Sequence, residues 1–157
     1  EEVLASLEKR EGDSPAFIQP QRTFADMVIQ FYRPEGKEDE VGPGLNVRHT
    51  LRPTLPHPDL TSLLDVGAST GISLDLARDK DGKPVDILDI RGSIETHRAS
   101  SLEELLWGLI PEAQHLRENT RSIEELEKIN IISHPLMLTQ LLVAYHMVKA
   151  SLGHHAI

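Results

Sequence analysis

Apolar and polar residues alternate with a period of two along residues 45–51 and 72–77, and a third short stretch, residues 85–90, has apolar residues at Val85, Ile87, Leu88 and Ile90. This alternation is typical of β-strands that bury one face. Asp81-Gly82 separates the last two stretches, and glycine tolerates the positive φ that tight turns require. The sequence therefore predicts three strands, of which the last two form a hairpin.

A fourth strand is predicted over residues 24–32, FADMVIQFY, where apolar residues occur with few polar interruptions. Such a run favours a strand that is covered on both faces and lies inside a sheet. The charged, glycine-rich segment 35–44 is predicted to be a loop. Prolines around residues 43–58 predict an extended, irregular connection.

Helical spacing of apolar residues replaces this alternation in the last third of the chain, and it also occurs in residues 1–12. SLEE at residues 101–104 and SIEE at residues 122–125 both match a capping box, in which serine is followed three residues later by glutamate. Each motif predicts the first turn of a helix. Pro135 suits the first turn of a final helix, which Gly153 ends.

These elements predict an α+β fold with a mixed, largely antiparallel sheet and with the helices toward the C-terminal end. At 157 residues the chain has the length of one ordinary domain. Residues 1–157 are therefore expected to form a single domain.

The chain is acidic, with a formal net charge of −9, and its basic residues are scattered. Both features argue against binding to nucleic acid or to an anionic membrane surface. Cysteine is absent, which excludes disulfides and fits a reducing compartment, so a cytoplasmic location is expected. The sequence shows neither an apolar run of roughly 18–20 residues nor the basic start of a signal peptide. A first residue other than Met is what we expect of a fragment or a processed product.

LLDVGASTG, residues 63–71, has the composition of a cofactor-binding loop, because glycines let backbone N–H groups approach a phosphate or a ribose. In a methyltransferase-like enzyme, Asp86 or Asp89 would then bind the ribose hydroxyls. Residues 72–77, however, keep the period of a strand where such a loop requires a helix. We therefore favour a turn. A small S-adenosylmethionine-dependent methyltransferase that uses the loop from Gly67 to Gly71 is the alternative function.

Eight histidines are present, but they do not form an i, i+4 pair with a glutamate between, and no cysteine assists them. No metal site is therefore predicted. Ser69 and Thr70 lack a pattern that would supply a base and oxyanion donors, so no catalytic residue is predicted. The glutamates at 103–104 and 124–125 are explained by helix capping and the helix dipole.

Two elements near the N-terminus, Ile18-Gln19-Pro20-Gln21 and Ala25-Asp26-Met27-Val28-Ile29, resemble a segment of phosphoribulokinases and their uridine-kinase relatives. In that family a helix ends, an Ile-x-Pro-Gln element follows, and a strand of the type Ala-Asp-Val-Val-Ile begins. Looser similarity to the plant and cyanobacterial type of phosphoribulokinase continues along the chain, in residues 45–53, 82–95, 101–107 and 134–150.

This resemblance covers the C-terminal half of an ATP-dependent kinase of sugar or nucleoside hydroxyls. In the family, the Gly-x-x-x-x-Gly-Lys-Ser loop and the catalytic aspartate lie in the N-terminal half. The present chain has no such loop, because no Gly-Lys-Ser or Gly-Lys-Thr occurs in it, and Gly36-Lys37 is followed by Glu38. The resemblance therefore implies an accessory domain that is not catalytically competent alone. ATP and Mg²⁺ belong to the complete family enzyme, and no cofactor is expected in this chain.

The resemblance also implies the partners of the chain, because in the family this half extends the kinase sheet and forms the subunit contact. We expect a homo-oligomer formed through a sheet edge, or pairing with an N-terminal kinase half. Gln21 and Arg22 are candidates to lie near the nucleotide in a complete kinase. A role as the connector between helix and strand is the alternative for these two residues.

Overall fold

The computed structural model describes residues 14–34, 44–64, 71–129 and 133–153. Four strands lie within these ranges and form one sheet in the order β1-β2-β4-β3, with every neighbouring pair antiparallel. The strands are β1 (Met27–Tyr32), β2 (Asn46–Leu51), β3 (Ile72–Arg78) and β4 (Pro84–Ile90). β1 and β3 are therefore the two edges of this sheet.

Most of the helices that the structure describes follow the last strand. They are α1 (Thr61–Leu64), α2 (Thr96–Gly108), α3 (Gln114–Arg117), α4 (Ile123–Lys128) and α5 (His134–Gly153). Short turns of other helix types cover Ser14–Ile18, Gln19–Thr23 and Pro111–Ala113. The predicted α+β class, with helices at the C-terminal end, is confirmed. Among the described residues, no helix is both long and apolar enough to cross a membrane.

One face of the sheet packs against α2 and α5. The strand register places Val47 opposite Ile90 and His49 opposite Leu88, so these four side chains share a face, and all four are buried. The apolar members join one core with side chains from the helices, among them Leu102, Leu106, Trp107, Leu138, Leu142 and Tyr145. Burial of this largely aliphatic surface is the main favourable contribution to folding.

The predicted hairpin between β3 and β4 is confirmed. Asp79 donates its backbone N–H to the Lys83 carbonyl at 2.9 Å, and Gly82 donates to the Asp79 carbonyl at 3.0 Å. Gly82 has a φ of +76°, a conformation that glycine adopts without the steric cost borne by other residues. The local turn chemistry of the sequence therefore determines how these strands are joined.

The prediction for residues 24–32 is wrong in two respects. β1 begins only at Met27, while Phe24 lies in a turn and is 85% exposed. The strand also lies at an edge of the sheet and not inside it. Apolar residues on both faces of a strand indicate that both faces tend to be buried. They do not indicate whether the residues that bury them belong to the same chain or to a partner.

Of the two predicted capping boxes, the structure confirms only the second. α2 begins at Thr96, so Ser101 lies inside the helix, where its hydroxyl donates to the His97 carbonyl at 2.9 Å. The prediction that residues 101–104 start a helix is therefore wrong, because the helix begins five residues earlier. Within the helix, the Ser101 hydroxyl bonds to the carbonyl of the preceding turn and does not cap the helix. The box at 122–125 is confirmed: Ser122 Oγ accepts from the Glu125 N–H, and Glu125 Oε2 accepts from the Ser122 N–H.

The final helix is confirmed as α5, with Pro135 in its first turn and with Leu138, Leu142 and Tyr145 on its buried face. Two other predictions fall outside the described residues. The helix predicted over 1–12 lies there completely, and the loop predicted over 35–44 lies there except for Gly44.

Candidate functional site

The outer edge of β1 has no neighbouring strand among the described residues. Just before this strand, Asp26 accepts a hydrogen bond from the Arg52 N–H at 3.0 Å, so the main chain of Asp26 faces β2. Backbone groups of successive residues in an antiparallel strand point to opposite sides. The N–H and C=O groups of Met27, Ile29 and Phe31 therefore point to the free edge.

The side chains along this edge are apolar and partly open to solvent. Ile29 is 38% exposed and Phe31 is 39% exposed, and both lie on the sheet face that carries the core. β1 contains no charged residue. Charged side chains commonly protect edge strands from pairing with another chain, and β1 lacks this protection.

The opposite edge, β3, differs in charge. Leu76 is 87% exposed there, but Asp75 and Arg78 lie within the same strand. Charges on an edge strand disfavour the addition of a further strand, because pairing would desolvate them. Of the two edges, β1 is therefore the better site for pairing with another strand.

The other face of the sheet carries a polar network that connects β1 to two strands. Tyr32 donates its hydroxyl to Asp89 Oδ1 at 2.9 Å, and the Arg48 guanidinium forms hydrogen bonds with both oxygens of the same carboxylate. Arg48 also lies over the Tyr32 ring, 5.3 Å from its centroid. This network fixes the end of β1 against β2 and β4, so the free edge is held in a defined position.

The structure places Gln21 and Arg22 in the turn that leads into β1. The Gln21 carbonyl accepts from the N–H groups of Phe24 and Ala25, and its side chain donates to the Phe17 carbonyl. The Arg22 carbonyl accepts from Arg52 Nη2 at 3.2 Å. These contacts fit a connector, and a position near the nucleotide in a complete kinase stays a prediction.

Only Gly71 of the glycine loop lies within the described residues, and it has a local structural role. Its φ is +79°, and an added Cβ would lie 3.1 Å from Ile94. Its carbonyl accepts from the Arg91 N–H at 2.8 Å. β3 follows directly, whereas a loop that binds a cofactor in this way opens a helix. The geometry on this side of the loop therefore does not favour the methyltransferase alternative.

Two histidines of the described residues are buried where β2 meets α5. His49 is fully buried, and its Nε2 lies 3.0 Å from the Thr139 hydroxyl. That hydroxyl donates its hydrogen to the Pro135 carbonyl, so Nε2 of His49 is the donor. His146 is also buried, with Nδ1 placed 2.8 Å from the Leu142 carbonyl.

Burial lowers the pKa of His49 to about 4, and the nearby His146 adds to the lowering. Burial likewise lowers the pKa of His146 below its usual value. Both rings are therefore neutral at pH 7. Groups of three or more side chains that could hold a metal ion do not occur in the part of the chain that the structure describes.

A cavity of about 360 Å³ opens between α2, α4 and α5. Its walls are mainly apolar, and its lining includes Trp107, Leu116, Ile123, Met137, Leu141 and Ala144. Glu103 also lines the cavity, although only 8% of this residue is exposed. One of its oxygens, Oε2, accepts from the Ile123 N–H at 3.0 Å, at the first turn of α4.

The capping-box pattern at residues 101–104 explains Glu103 as part of a helix cap and does not predict its burial. Burial raises the pKa of its carboxyl above the usual range, against the hydrogen bond from Ile123. The sequence contains a signal, because Ala99, Leu102, Leu106 and Trp107 have the spacing of one helical stripe and Glu103 lies within it; the structure buries all five residues. A glutamate on such a stripe predicts a buried carboxylate with a specific partner.

The chain matches no protein-family model, no curated protein and no solved structure.

Proposed function

We propose that this chain is the accessory C-terminal domain of a phosphoribulokinase-like, ATP-dependent kinase, and that it assembles subunits in the cytoplasm. The observation that carries the proposal is the uncharged edge of β1, which no other strand of the described residues pairs with and where Ile29 and Phe31 are partly exposed. Such an edge is a template for one further strand. The resemblance of residues 18–29 supports the choice of family.

The absence of a phosphate-binding loop from the sequence supports an accessory role. Phosphoryl transfer depends on backbone amides and a lysine around the phosphates, together with Mg²⁺. No Gly-Lys-Ser or Gly-Lys-Thr occurs in the sequence. We therefore assign ATP and Mg²⁺ to the kinase half of a complete enzyme. This polypeptide with ATP, Mg²⁺ and ribulose 5-phosphate should form ADP no faster than a protein-free control, and faster formation would contradict the proposal.

The partner that we propose for β1 is a second copy of the chain. Antiparallel pairing about a two-fold axis at Ile29 places Ile29 opposite Ile29 of the second copy and Met27 opposite Phe31 of the second copy. All of these residues have backbone groups that point outward, so the pairing forms about six hydrogen bonds. It also places apolar side chains against apolar side chains on one face. The edge is therefore self-complementary, as an isologous dimer requires.

Further apolar area lies close to β1 in sequence. A stable interface buries about 1,200–2,000 Å² in total, which is more than one short strand edge provides. Phe17, Ile18 and Phe24 precede β1 and are largely exposed. Their burial in the same dimer would increase the apolar interface, and apolar burial is what stabilises most protein association.

The two edges of the sheet provide a matched experiment. Ile29→Asp places two aspartates directly opposite each other at the two-fold axis, with Cα atoms about 5.5 Å apart, and should convert the dimer to a monomer in light scattering. Leu76→Asp adds the same charge at the more exposed apolar position of the β3 edge and should leave the dimer intact. A wild-type protein that stays monomeric at high concentration would contradict the assembly role. Loss of association with Leu76→Asp alone would assign the contact to β3.

A further inference from the structure

The cavity between α2, α4 and α5 is independent of the β1 edge. Its volume of about 360 Å³ lies in the range of small-molecule sites, which are mostly apolar with a few placed polar groups. Trp107, Ile123 and Leu141 form apolar walls, and Glu103 supplies a carboxylate from within the same stripe of α2. The cavity thus combines an apolar body with one buried charged group.

The chemistry of Glu103 narrows the class of ligand. A carboxylate repels phosphates and other carboxylates. The mainly apolar walls disfavour a sugar, because the polar lining residues Asn119, Thr120, Arg121 and Gln140 are all exposed to solvent. A glutamine would satisfy the Ile123 N–H equally well, because its amide oxygen is also an acceptor. The negative charge is therefore not needed for the contact with α4, whereas it is suited to an ammonium group.

We propose that this cavity binds a small amphipathic amine, with its hydrocarbon part between Trp107 and Leu141 and its ammonium group at the Glu103 carboxylate. The ammonium would donate a charge-assisted hydrogen bond to Glu103 while Oε2 keeps its contact with Ile123. The ligand would then neutralise a carboxylate that the protein otherwise buries at a cost.

The other charged groups around Glu103 agree with a cationic ligand. Glu104 and Glu124 are close enough to act electrostatically on Glu103, and the charge of Arg117 opposes them. Arg117 itself pairs with Glu104. Arg121 also lines the cavity, but it is exposed, so water and salt screen its charge.

Trp107 makes the test direct, because it is the only tryptophan in the chain and it lines the cavity. The probe is 4-phenylbutylamine, titrated at pH 8 while the fluorescence of Trp107 is recorded. 4-Phenylbutanol and 5-phenylvalerate have the same phenylbutyl body with a neutral and an anionic group. We expect the amine to bind at least about tenfold more tightly than the alcohol, and the carboxylate to bind most weakly.

Three variants distinguish the effect of the Glu103 charge on binding from the effect of the space in the cavity. Glu103→Gln should remove the preference for the amine and leave the binding of the alcohol unchanged. Glu118→Gln removes one exposed charge outside the cavity lining and should keep the preference. Ala144→Leu fills part of the cavity and should weaken both ligands, and circular dichroism checks that each variant is folded.

Equal affinity of the wild-type protein for amine and alcohol would overturn the proposal, as would an unchanged preference in Glu103→Gln. Failure of all three probes to change the fluorescence would also overturn it. Because the oligomeric state is measured separately, none of these results bears on the proposed assembly role.

Discussion

Arg52 and Asp79 form an ion pair, with 2.7 Å between Nη1 and Oδ2, that joins the end of β2 to the turn of the β3–β4 hairpin. The same guanidinium donates from Nε to the Ala25 carbonyl at 2.8 Å and from Nη2 to the Arg22 carbonyl. One side chain thus connects three segments that are distant in sequence. It fixes the start of β1 relative to the rest of the sheet.

Replacement of this arginine should destabilise the protein even when the charge is kept. Arg52→Lys retains the cation but loses the planar fork that reaches three acceptors. We expect the Tm to fall by a few degrees, measured by circular dichroism. Arg91→Lys, at an exposed arginine, is the control and should leave the Tm unchanged. Equal Tm values for the two variants would show that the fork of Arg52 is not needed.

The buried histidines should make the protein less stable at mildly acidic pH. His49 has a pKa of about 4 in the folded protein and 6.5 as its ordinary value, so the unfolded chain binds more protons between these values. The stabilisation from neutral His49 is present above pH 6.5 and is lost as the pH falls toward 4. The loss amounts to about 3 kcal/mol.

Urea unfolding at pH 7, 5.5 and 4.5 measures this loss. His49→Gln should flatten the dependence, because its amide can donate to Thr139 without titrating. His97→Gln changes an exposed histidine and should retain the wild-type slope. The lowered pKa of His146 acts in the same direction, so the slope should not vanish completely in His49→Gln.

The contribution of Glu103 to folding stability should change with pH in the opposite direction to that of His49. Its raised pKa means that the folded state holds the proton more tightly than the unfolded state does, so its contribution is largest below the ordinary pKa and is lost as the pH rises through the folded value. At pH 7, Glu103→Gln should therefore be at least as stable as wild type. Glu103→Ala removes the acceptor of the Ile123 N–H and should cost about 1–3 kcal/mol in chemical denaturation. A less stable glutamine variant would contradict this assignment.

A single introduced cysteine tests the register of the proposed dimer, because the chain has no cysteine of its own. In a hydrogen-bonded antiparallel pair the Cα atoms lie about 5.5 Å apart, within the range of roughly 4.4–6.8 Å that disulfides span. Ile29→Cys should therefore form a disulfide-linked dimer under mild oxidation, seen on non-reducing gels.

Gln30→Cys is the matched control for this register. A two-fold axis at Ile29 makes the two Gln30 residues diagonal neighbours, about 7–8 Å apart, which is too far for an unstrained disulfide. If Gln30→Cys cross-links efficiently and Ile29→Cys does not, the two-fold axis lies one residue away from Ile29. That result would contradict the proposed pairing.

Local sequence determined the parts of the fold that depend on neighbouring residues. Strand-type patterns of apolar residues predicted β2, β3 and β4, the glycine at 82 gave the β3–β4 hairpin its turn, and the box at 122–125 started α4. Each of these depends on φ/ψ preferences or hydrogen bonds within a few residues. The same reasoning failed at residues 101–104. There the helix begins upstream, at Thr96, and Glu103 accepts a hydrogen bond from the backbone N–H of Ile123, which is distant in sequence.

Tertiary structure alone decided the features from which we infer function. The edge position of β1, the burial of His49 against Thr139 and the cavity beside Glu103 all join residues that are far apart in the chain. Composition and periodicity indicate that a residue prefers burial, but the strand order and helix packing decide what lies against it. The sequence by itself therefore determined the elements and their class, while the fold determined which edge is open and which charges are buried.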